Sequence, residues 1–115
     1  MKYQFTITNE IIETIPVIFI EGDLTSEADT EVKRVYNDFK EKGYTKKIVI
    51  NFEKTKYINS SGIATLINII QDVNESKGVV AFVGLSDHLQ KVMDIVGISD
   101  FVQIFKTNSE ALKSL

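Results

Sequence analysis

The sequence contains no cysteine and no tryptophan, and it has a single proline and a single histidine in 115 residues. Without cysteine there is no disulfide, no thiolate metal ligand and no cysteine nucleophile. No apolar run approaches the roughly 20 residues that a membrane-spanning helix needs. Residues 1–5 alternate polar and apolar side chains and lack the apolar core of a signal peptide. We therefore expect a cytoplasmic protein without direct membrane insertion.

Basic charge is also scarce, with 13 Lys and Arg against 16 Asp and Glu and a net charge of −3. Nucleic-acid binding depends on a concentrated basic surface, so we expect no nucleic-acid partner. Apolar residues make up 43% of the chain and charged residues 25%, which is typical of a globular protein with a core. The length fits one domain, and we expect residues 1–115 to form it.

Strand and helix patterns alternate along the chain, which predicts an α/β fold. Two apolar runs, residues 48–52 and 79–83, have the composition of buried strands, and helical periodicity follows each of them. The predicted order is β-β-α-β-α-β-α-β-α. Each helical pattern has one apolar face, so we predict a mixed sheet of four to five strands with helices mainly on one face.

Several local features carry more specific expectations. Residues 3–7 alternate as a half-buried first strand does, and residues 8–10 are predicted to form a turn. Residues 21–26 are predicted to form a loop that leads into the first helix. Gly78 is predicted to end the second helix, and Thr65 is assigned to the polar face of that helix.

Residues 57–63 connect a buried strand to the second helix and contain the sequence Tyr-Ile-Asn-Ser-Ser-Gly-Ile. Asn59 is predicted to be the N-cap, because its side-chain oxygen can accept from the unpaired N–H groups of a helix start. Ser60 and Ser61 then lie in the first turn, where the helix dipole favours an anion. On this local pattern alone, an ordinary structural helix start explains the sequence better than a functional site does.

Agreement with a known family pattern over a longer part of the sequence favours a functional site. Residues 51–63 resemble the phosphorylation segment of the STAS-domain anti-sigma factor antagonists, in which a buried strand and a short loop lead into Asp-Ser-Ser/Thr-Gly-Leu. Residues 22–25 resemble the Gly-Glu-Leu-Asp loop of that family. Residues 85–98 resemble its third helix and the Gly-Leu turn after it, and residues 101–105 resemble the next strand. The resemblance covers nearly the whole chain in the same order.

The resemblance implies a STAS-like fold, no enzymatic activity, no cofactor and no metal. It also implies a partner, an anti-sigma factor with serine kinase activity, which the unmodified protein binds so that a sigma factor is released. Phosphorylation of Ser60 would end the binding, and a serine phosphatase would restore it. Ser61 is the second candidate acceptor. The partner-binding residues implied are Asp23, Thr25, Asn59, Ser60, Ser61, Gly62 and Ile63.

Two positions depart from the family pattern. Asn59 stands where the family has aspartate, which keeps the capping geometry but removes a charge beside the acceptor serine. Thr25 stands in place of the last aspartate of the Gly-Glu-Leu-Asp loop, so Asp23 is the one carboxylate left there. Lys54 and Lys56, which precede the serines, are interpreted as solvated loop lysines, with contact to an acidic partner surface as the alternative.

Other functions fit the sequence less well. A hydrolase would use Ser60, His88 and either Asp23 or Asp94, but the chain lacks the Gly-x-Ser-x-Gly elbow of serine hydrolases. A response regulator would need an acidic cluster after a strand, which the sequence does not supply. The second hypothesis that we keep is a STAS subunit or docking module of a membrane transport system, which binds through its helical face without phosphorylation.

Overall fold

A computed structural model describes residues 4–115, so the residue that opens the predicted first strand, Tyr3, lies outside the described part of the chain. In chain order the elements are β1 (Phe5–Ile12), β2 (Ile15–Leu24), α1 (Ser26–Glu41), β3 (Lys47–Asn51), β4 (Thr55–Ile58), α2 (Ser60–Glu75), β5 (Val79–Val83), α3 (Asp87–Val96), β6 (Gln103–Phe105) and α4 (Asn108–Ser114), with a 3₁₀ turn (Ile98–Phe101) between α3 and β6. Within this range, no helix is both long enough and apolar enough to cross a bilayer.

The strands form one mixed sheet in the order β1-β2-β3-β5-β6, and β4 pairs with β2 beyond the end of β3. Strand β1 is antiparallel to β2, whereas the other pairings are parallel. The predicted mixed α/β architecture is confirmed, but the described sheet has six strands rather than four to five. The additional strand is β4, which the sequence pattern treated as loop because it is only four residues long.

The first hairpin turns later than the sequence predicted. The turn is at Glu13 and Thr14, which both have positive φ angles of 50° and 72°, and not at residues 8–10. Two consecutive positive φ angles match the twist of a tight hairpin, and asparagine or glycine is the usual signal for them. Glu-Thr carries no such signal, so the local sequence does not indicate this turn.

Strand β2 continues through Leu24, so the predicted loop at residues 21–26 is wrong over most of its length. The strand continues past an irregularity between Gly22 and Asp23, where its pairing with β4 shifts register. Gly22 has a φ of +86°, and a Cβ there would lie 2.3 Å from the carbonyl oxygen of Gln4. Glycine therefore allows β2 to bend without ending, and the strand carries Asp23 and Leu24 alongside β4.

Helices cover both faces of the sheet unequally, as predicted. The larger core lies under α1, α2 and α3, with Val32, Leu66 and Met93 among its fully buried side chains. The smaller core lies under α4, where Ala111 packs with Val49 and other side chains from the centre of the sheet. Three of the four described helices thus share one face.

The helix α2 differs in two details from its predicted form. Thr65 is 1% exposed and belongs to the buried side, because α2 packs against α1 as well as the sheet and its buried arc is wide. The left-handed residue after the helix is Lys77, with a φ of 60°, and not Gly78. Gly78 is required for another reason: a Cβ there would lie 2.6 Å from the carbonyl oxygen of Thr45.

A polar contact joins α1 to α2. The hydroxyl of Tyr36 donates a hydrogen bond to the carboxylate of Asp72, and the ammonium of Lys40 lies 2.9 Å from the same carboxylate. The hydrogen bond from Tyr36, followed by that from Lys40, lowers the pKa of Asp72. Burial and the bond to Asp72 raise the pKa of Tyr36, so the phenol stays protonated.

We expect Tyr36→Phe to lower the free energy of unfolding by about 1 kcal/mol at pH 6, because it removes one hydrogen bond to a partly exposed carboxylate. The folded-state pKa of Asp72 is below its unfolded value, so its contribution is complete above that unfolded value and is lost as the pH falls through the folded one. Urea unfolding should therefore show a wild-type advantage at pH 6 that shrinks at about pH 2.5.

Tyr44→Phe is the matched control, because the edge-on ring contact of Tyr44 with Phe39 survives the loss of the hydroxyl. An advantage of wild type over Tyr36→Phe that stays the same at both pH values would contradict the assignment to ionised Asp72.

Candidate functional site

The start of α2 is fixed by two hydrogen bonds to Asn59. The side-chain oxygen of Asn59 accepts from the backbone N–H of Gly62 at 3.1 Å, and its main-chain oxygen accepts from the N–H of Ile63 at 3.0 Å. Its backbone is extended, with φ −103° and ψ −177°, as a capping residue requires. The predicted N-cap is confirmed, and the first helical residue is Ser60.

The two serines of the first turn are not equivalent. Ser60 is exposed, whereas Ser61 is only partly exposed. Both residues occupy the first turn, where backbone N–H groups have no acceptor within the helix. The structure therefore gives another protein easier access to the hydroxyl of Ser60 than to that of Ser61.

The end of β2 lies directly against this helix start. The N–H of Asn59 donates to the carbonyl oxygen of Leu24 at 3.2 Å, and Asp23 is in register with Tyr57 across the β2–β4 pair. A Cβ on Gly62 would lie 2.6 Å from the same Leu24 oxygen. Gly62 therefore permits a close contact with Leu24 that a Cβ atom would prevent. The end of β2 and the start of α2, the two segments of the predicted site, do lie next to each other.

The two predicted residues from the end of β2 have different environments. Asp23 is partly exposed, and its carboxylate accepts a hydrogen bond from the N–H of Gln4 at 3.3 Å. Thr25 is 2% exposed, and its hydroxyl has no hydrogen-bond partner and does not cap α1. The side chain of Thr25 thus lies below the surface, unlike that of Asp23.

A polar cleft of about 960 Å³ lies between the bend in β2 and residues 53–56. Lys54 and Lys56 both line this cleft. The ammonium of Lys54 lies 3.6 Å from the carboxylate of Glu21. Lys56 is exposed on β4, and Asp23 lines the same cleft. No acidic residue lies in the first turn of α2. An anion at Ser60 would consequently meet no like charge from that turn.

The residues of the hydrolase alternative are engaged elsewhere. The carboxylate of Asp94, in the second half of α3, accepts hydrogen bonds from the hydroxyl of Ser99 and the amide of Gln90, and these bonds lower its pKa. Asp23 is held by Gln4, and His88 is exposed in the first turn of α3. These contacts form no chain from an aspartate through a histidine to Ser60.

Among residues 4–115, no group of three His, Asp or Glu side chains is placed to hold a metal ion.

Sequence reasoning missed the contribution of β4 to the site. The strand places Lys56 and Tyr57 on the exposed surface beside the helix start, while Thr55 is buried and donates to the carbonyl oxygen of Ile20 at 2.6 Å. The sequence offered one signal, the β-branched and aromatic side chains of Thr55, Tyr57 and Ile58. Three such residues in a segment of four are too few to distinguish a strand from a loop.

Two known proteins with similar sequences are named as anti-sigma factor antagonists. The chain is 28% identical over 107 residues to a protein of Thermotoga neapolitana named as a putative anti-sigma factor antagonist, and the match covers 92% of this chain and 94% of that protein. It is 22% identical over 85 residues to the anti-sigma-B factor antagonist of Staphylococcus aureus, with 74% and 78% of the two chains covered.

The fold is also found in solved structures. The phosphorylated form of the Bacillus cell fate determinant SpoIIAA superposes with a TM-score of 0.75 at 20% identity, over 96% of this chain and 98% of that one. The unphosphorylated form of SpoIIAA gives a TM-score of 0.73 at 19% identity, over 96% of each chain. At these identities the likeness establishes the fold alone.

The family model described as the STAS domain matches residues 6–111, a span that contains the whole sheet except for one residue of β1 and includes the capped start of α2. With the sheet order, the helices mainly on one face and the Asn-Ser-Ser-Gly helix start in place, this chain belongs to the STAS domain family.

Proposed function

We propose that this protein is an anti-sigma factor antagonist that is switched by phosphorylation of Ser60. In its unmodified form it binds an anti-sigma factor with serine kinase activity, and a sigma factor is released. The kinase then modifies Ser60, the complex dissociates, and a serine phosphatase restores the protein. The observation that carries the proposal is the exposure of Ser60 at a helix start whose geometry Asn59 fixes.

Exposure supports Ser60 as the acceptor in preference to Ser61. A kinase must bring a hydroxyl into line with a nucleotide phosphate, which requires open space around the oxygen. Ser60 is exposed and Ser61 is partly covered. Ser61 remains the second candidate, since it lies in the same turn and becomes more accessible if the first turn frays.

The helix start also favours the modified state of the folded protein. A phosphoserine adds about 1.5–2 negative charges, and the N-terminal end of a helix carries roughly half a positive charge. The first turn of α2 contains no acidic residue that would oppose the phosphate. The fold therefore need not change when Ser60 is modified.

The added charge instead weakens binding of the partner, through repulsion between like charges at the interface. Two like charges about 4 Å apart repel by roughly 4 kcal/mol at an effective dielectric constant of about 20, equivalent to about a thousandfold in affinity before salt screening. One acidic group of the anti-sigma factor facing Ser60 is enough to produce a switch of this kind. The proposed surface consists of Asp23, Asn59, Ser60, Ser61 and Ile63, with Thr25 and Gly62 supporting it from below.

Phosphorylation should occur on Ser60 when the protein is incubated with ATP and its cognate anti-sigma factor. Intact-mass and peptide mass spectrometry should show one added phosphate, located on the peptide that contains Ser60. The Ser60→Ala variant should remain unmodified although Ser61 is intact. A full phosphate stoichiometry on Ser60→Ala would move the acceptor to Ser61, and no phosphate on either serine would contradict the switch and favour a docking module of a membrane transport system.

Binding to the anti-sigma factor should weaken at least about tenfold in Ser60→Asp and stay near the wild-type value in Ser60→Ala, because only aspartate places a charge at the interface. Titration calorimetry with the purified partner measures both. Ser109→Asp is the matched control, since it puts the same charge on an exposed serine in the first turn of α4, on the opposite face of the sheet. Equal losses in Ser60→Asp and Ser109→Asp would show that only net charge matters.

A further inference from the structure

Three of the five exposed large apolar side chains of the described residues lie at the end of α3 and on the 3₁₀ turn that follows it. Ile95 is 84% exposed, Val96 is 45% exposed and Phe101, on the 3₁₀ turn, is 63% exposed. Monomeric proteins expose single apolar residues freely, but a cluster beside a concavity marks a binding surface. The proposed switch at Ser60 makes no use of this cluster.

A groove with a cavity volume of about 570 Å³ adjoins these side chains. It lies between the middle and the end of α2, represented by Ile67 and Ile70, and the end of α3 with the 3₁₀ turn, represented by Val96 and Phe101. We refer to this concavity, together with the neighbouring exposed Ile95, as the distal groove. Its walls are mainly apolar, so a bound group would be held by burial of apolar surface.

The chain builds the groove by turning sharply after α3. Gly97 has a left-handed φ of +82° and ends the helix, and Ile98 immediately enters the core at 3% exposure. Phe101 closes the 3₁₀ turn and is exposed, although Ile98 at the start of the same turn is buried.

The distal groove and the Ser60 surface lie at different positions along one helix. Helix α2 has 16 residues, which corresponds to roughly 24 Å of length, and the groove uses it from Ile67 to Glu75. The two surfaces share no residue, so they can be tested separately.

Charge indicates the kind of partner that fits. Among the described residues, Glu75 is the one charged side chain that lines the groove. Both α2 and α3 end here with no basic residue in the last turn, so the negative ends of two helix dipoles point to the same region. Lys46 offsets part of this charge by donating to the carbonyl oxygen of Ser76, but it does not line the groove.

Acidic side chains also flank the apolar cluster along the chain. Asp94 precedes Ile95 and Asp100 precedes Phe101, and both carboxylates are exposed. A second copy of this chain, docked through the same surface about a two-fold axis, would bring this acidic border against itself. Like charges in contact disfavour that arrangement, whereas a basic border on a different protein would be attracted.

We propose that the distal groove binds an amphipathic helix of a partner protein, with an apolar stripe that fills the groove and Lys or Arg residues beside the stripe that face Glu75 and the two helix ends. Apolar anchors at helical spacing are the usual way in which a helix occupies such a groove. This interaction is separate from the proposed phosphorylation, because no residue of the distal groove belongs to the Ser60 surface.

The probe is a designed peptide of about 18 residues with leucine on one face, lysine on the other and one tryptophan on the leucine face. The protein itself has no tryptophan, so the emission reports on the peptide alone. Titration of the intact protein into the peptide should give saturable binding. Val96→Ser and Phe101→Ser, at two residues that line the groove, should each weaken it by about tenfold, as loss of a buried anchor does.

Ile11→Ser is the matched control, since Ile11 has the same exposure as Val96, 45%, but lies on β1. Its affinity for the peptide should equal that of wild type. An equal loss in Ile11→Ser, or no loss in both Val96→Ser and Phe101→Ser, would overturn the assignment to the distal groove, as would a failure of the peptide to bind.

The charge argument has its own test. A peptide with glutamate in place of every lysine should bind wild type more weakly than the lysine peptide, and Glu75→Lys should reduce that preference. Equal binding of the two peptides by wild type would overturn the charge part of the proposal.

Sedimentation velocity should show that the protein is a monomer. A dimer that Phe101→Ser dissociates would assign the groove to a second copy of the chain and overturn the proposed partner.

Discussion

The hydrogen bonds around Asn59 are the constraint on which the site depends. Asn59 closes the first turn of α2 through Gly62 and Ile63, and its own N–H binds the carbonyl oxygen of Leu24 at the end of β2. The strand and the helix are therefore positioned by the same residue. Gly62 completes the arrangement, because only a residue without a side chain fits against Leu24. Ser60 is held at a defined point on the surface as a consequence.

This geometry separates the effect of a charge on the fold from its effect on a partner. The helix dipole and the absence of acidic residues in the first turn of α2 favour an anion at Ser60 within the domain. A docked protein gains no such compensation. Farther along the same helix, Asp72 binds Tyr36 and Lys40 and thereby ties α2 to α1. The helix that presents the serine is thus anchored at its start and in its second half, which suits a switch that alters a surface and leaves the core unchanged.

Much of the fold could be predicted because its signals are local. The apolar runs of β3 and β5 are buried on both faces of the sheet, and the predicted N-cap Asn59 accepts the hydrogen bond from Gly62. Gly97 ends α3 in the left-handed conformation, again as its residue type predicts. The resemblance to the STAS family was confirmed by the family match, and the order of segments on which it was based is the order in the fold.

The errors arose where tertiary contacts decide the structure. Strand β4 exists because the bent end of β2 offers it a partner, and its four residues show no such pairing in the sequence. Thr65 and Thr25 look like surface residues by type, but neighbouring elements cover both. Lys77 takes the left-handed position, whereas Gly78 allows the close approach to Thr45. The exposed Phe101 could not be predicted either, since a pattern of apolar residues does not show which of them the core leaves out.

The most direct test of the central claim is amide hydrogen exchange along α2 with Ser60 unmodified and phosphorylated. The fixed helix start predicts that the amides of Gly62 and Ile63 stay protected in both forms and that protection from Leu66 to Val73 is unchanged. Loss of protection along α2 after phosphorylation would show that the modification acts by unfolding the helix, and it would contradict a switch that changes only the charge of the surface.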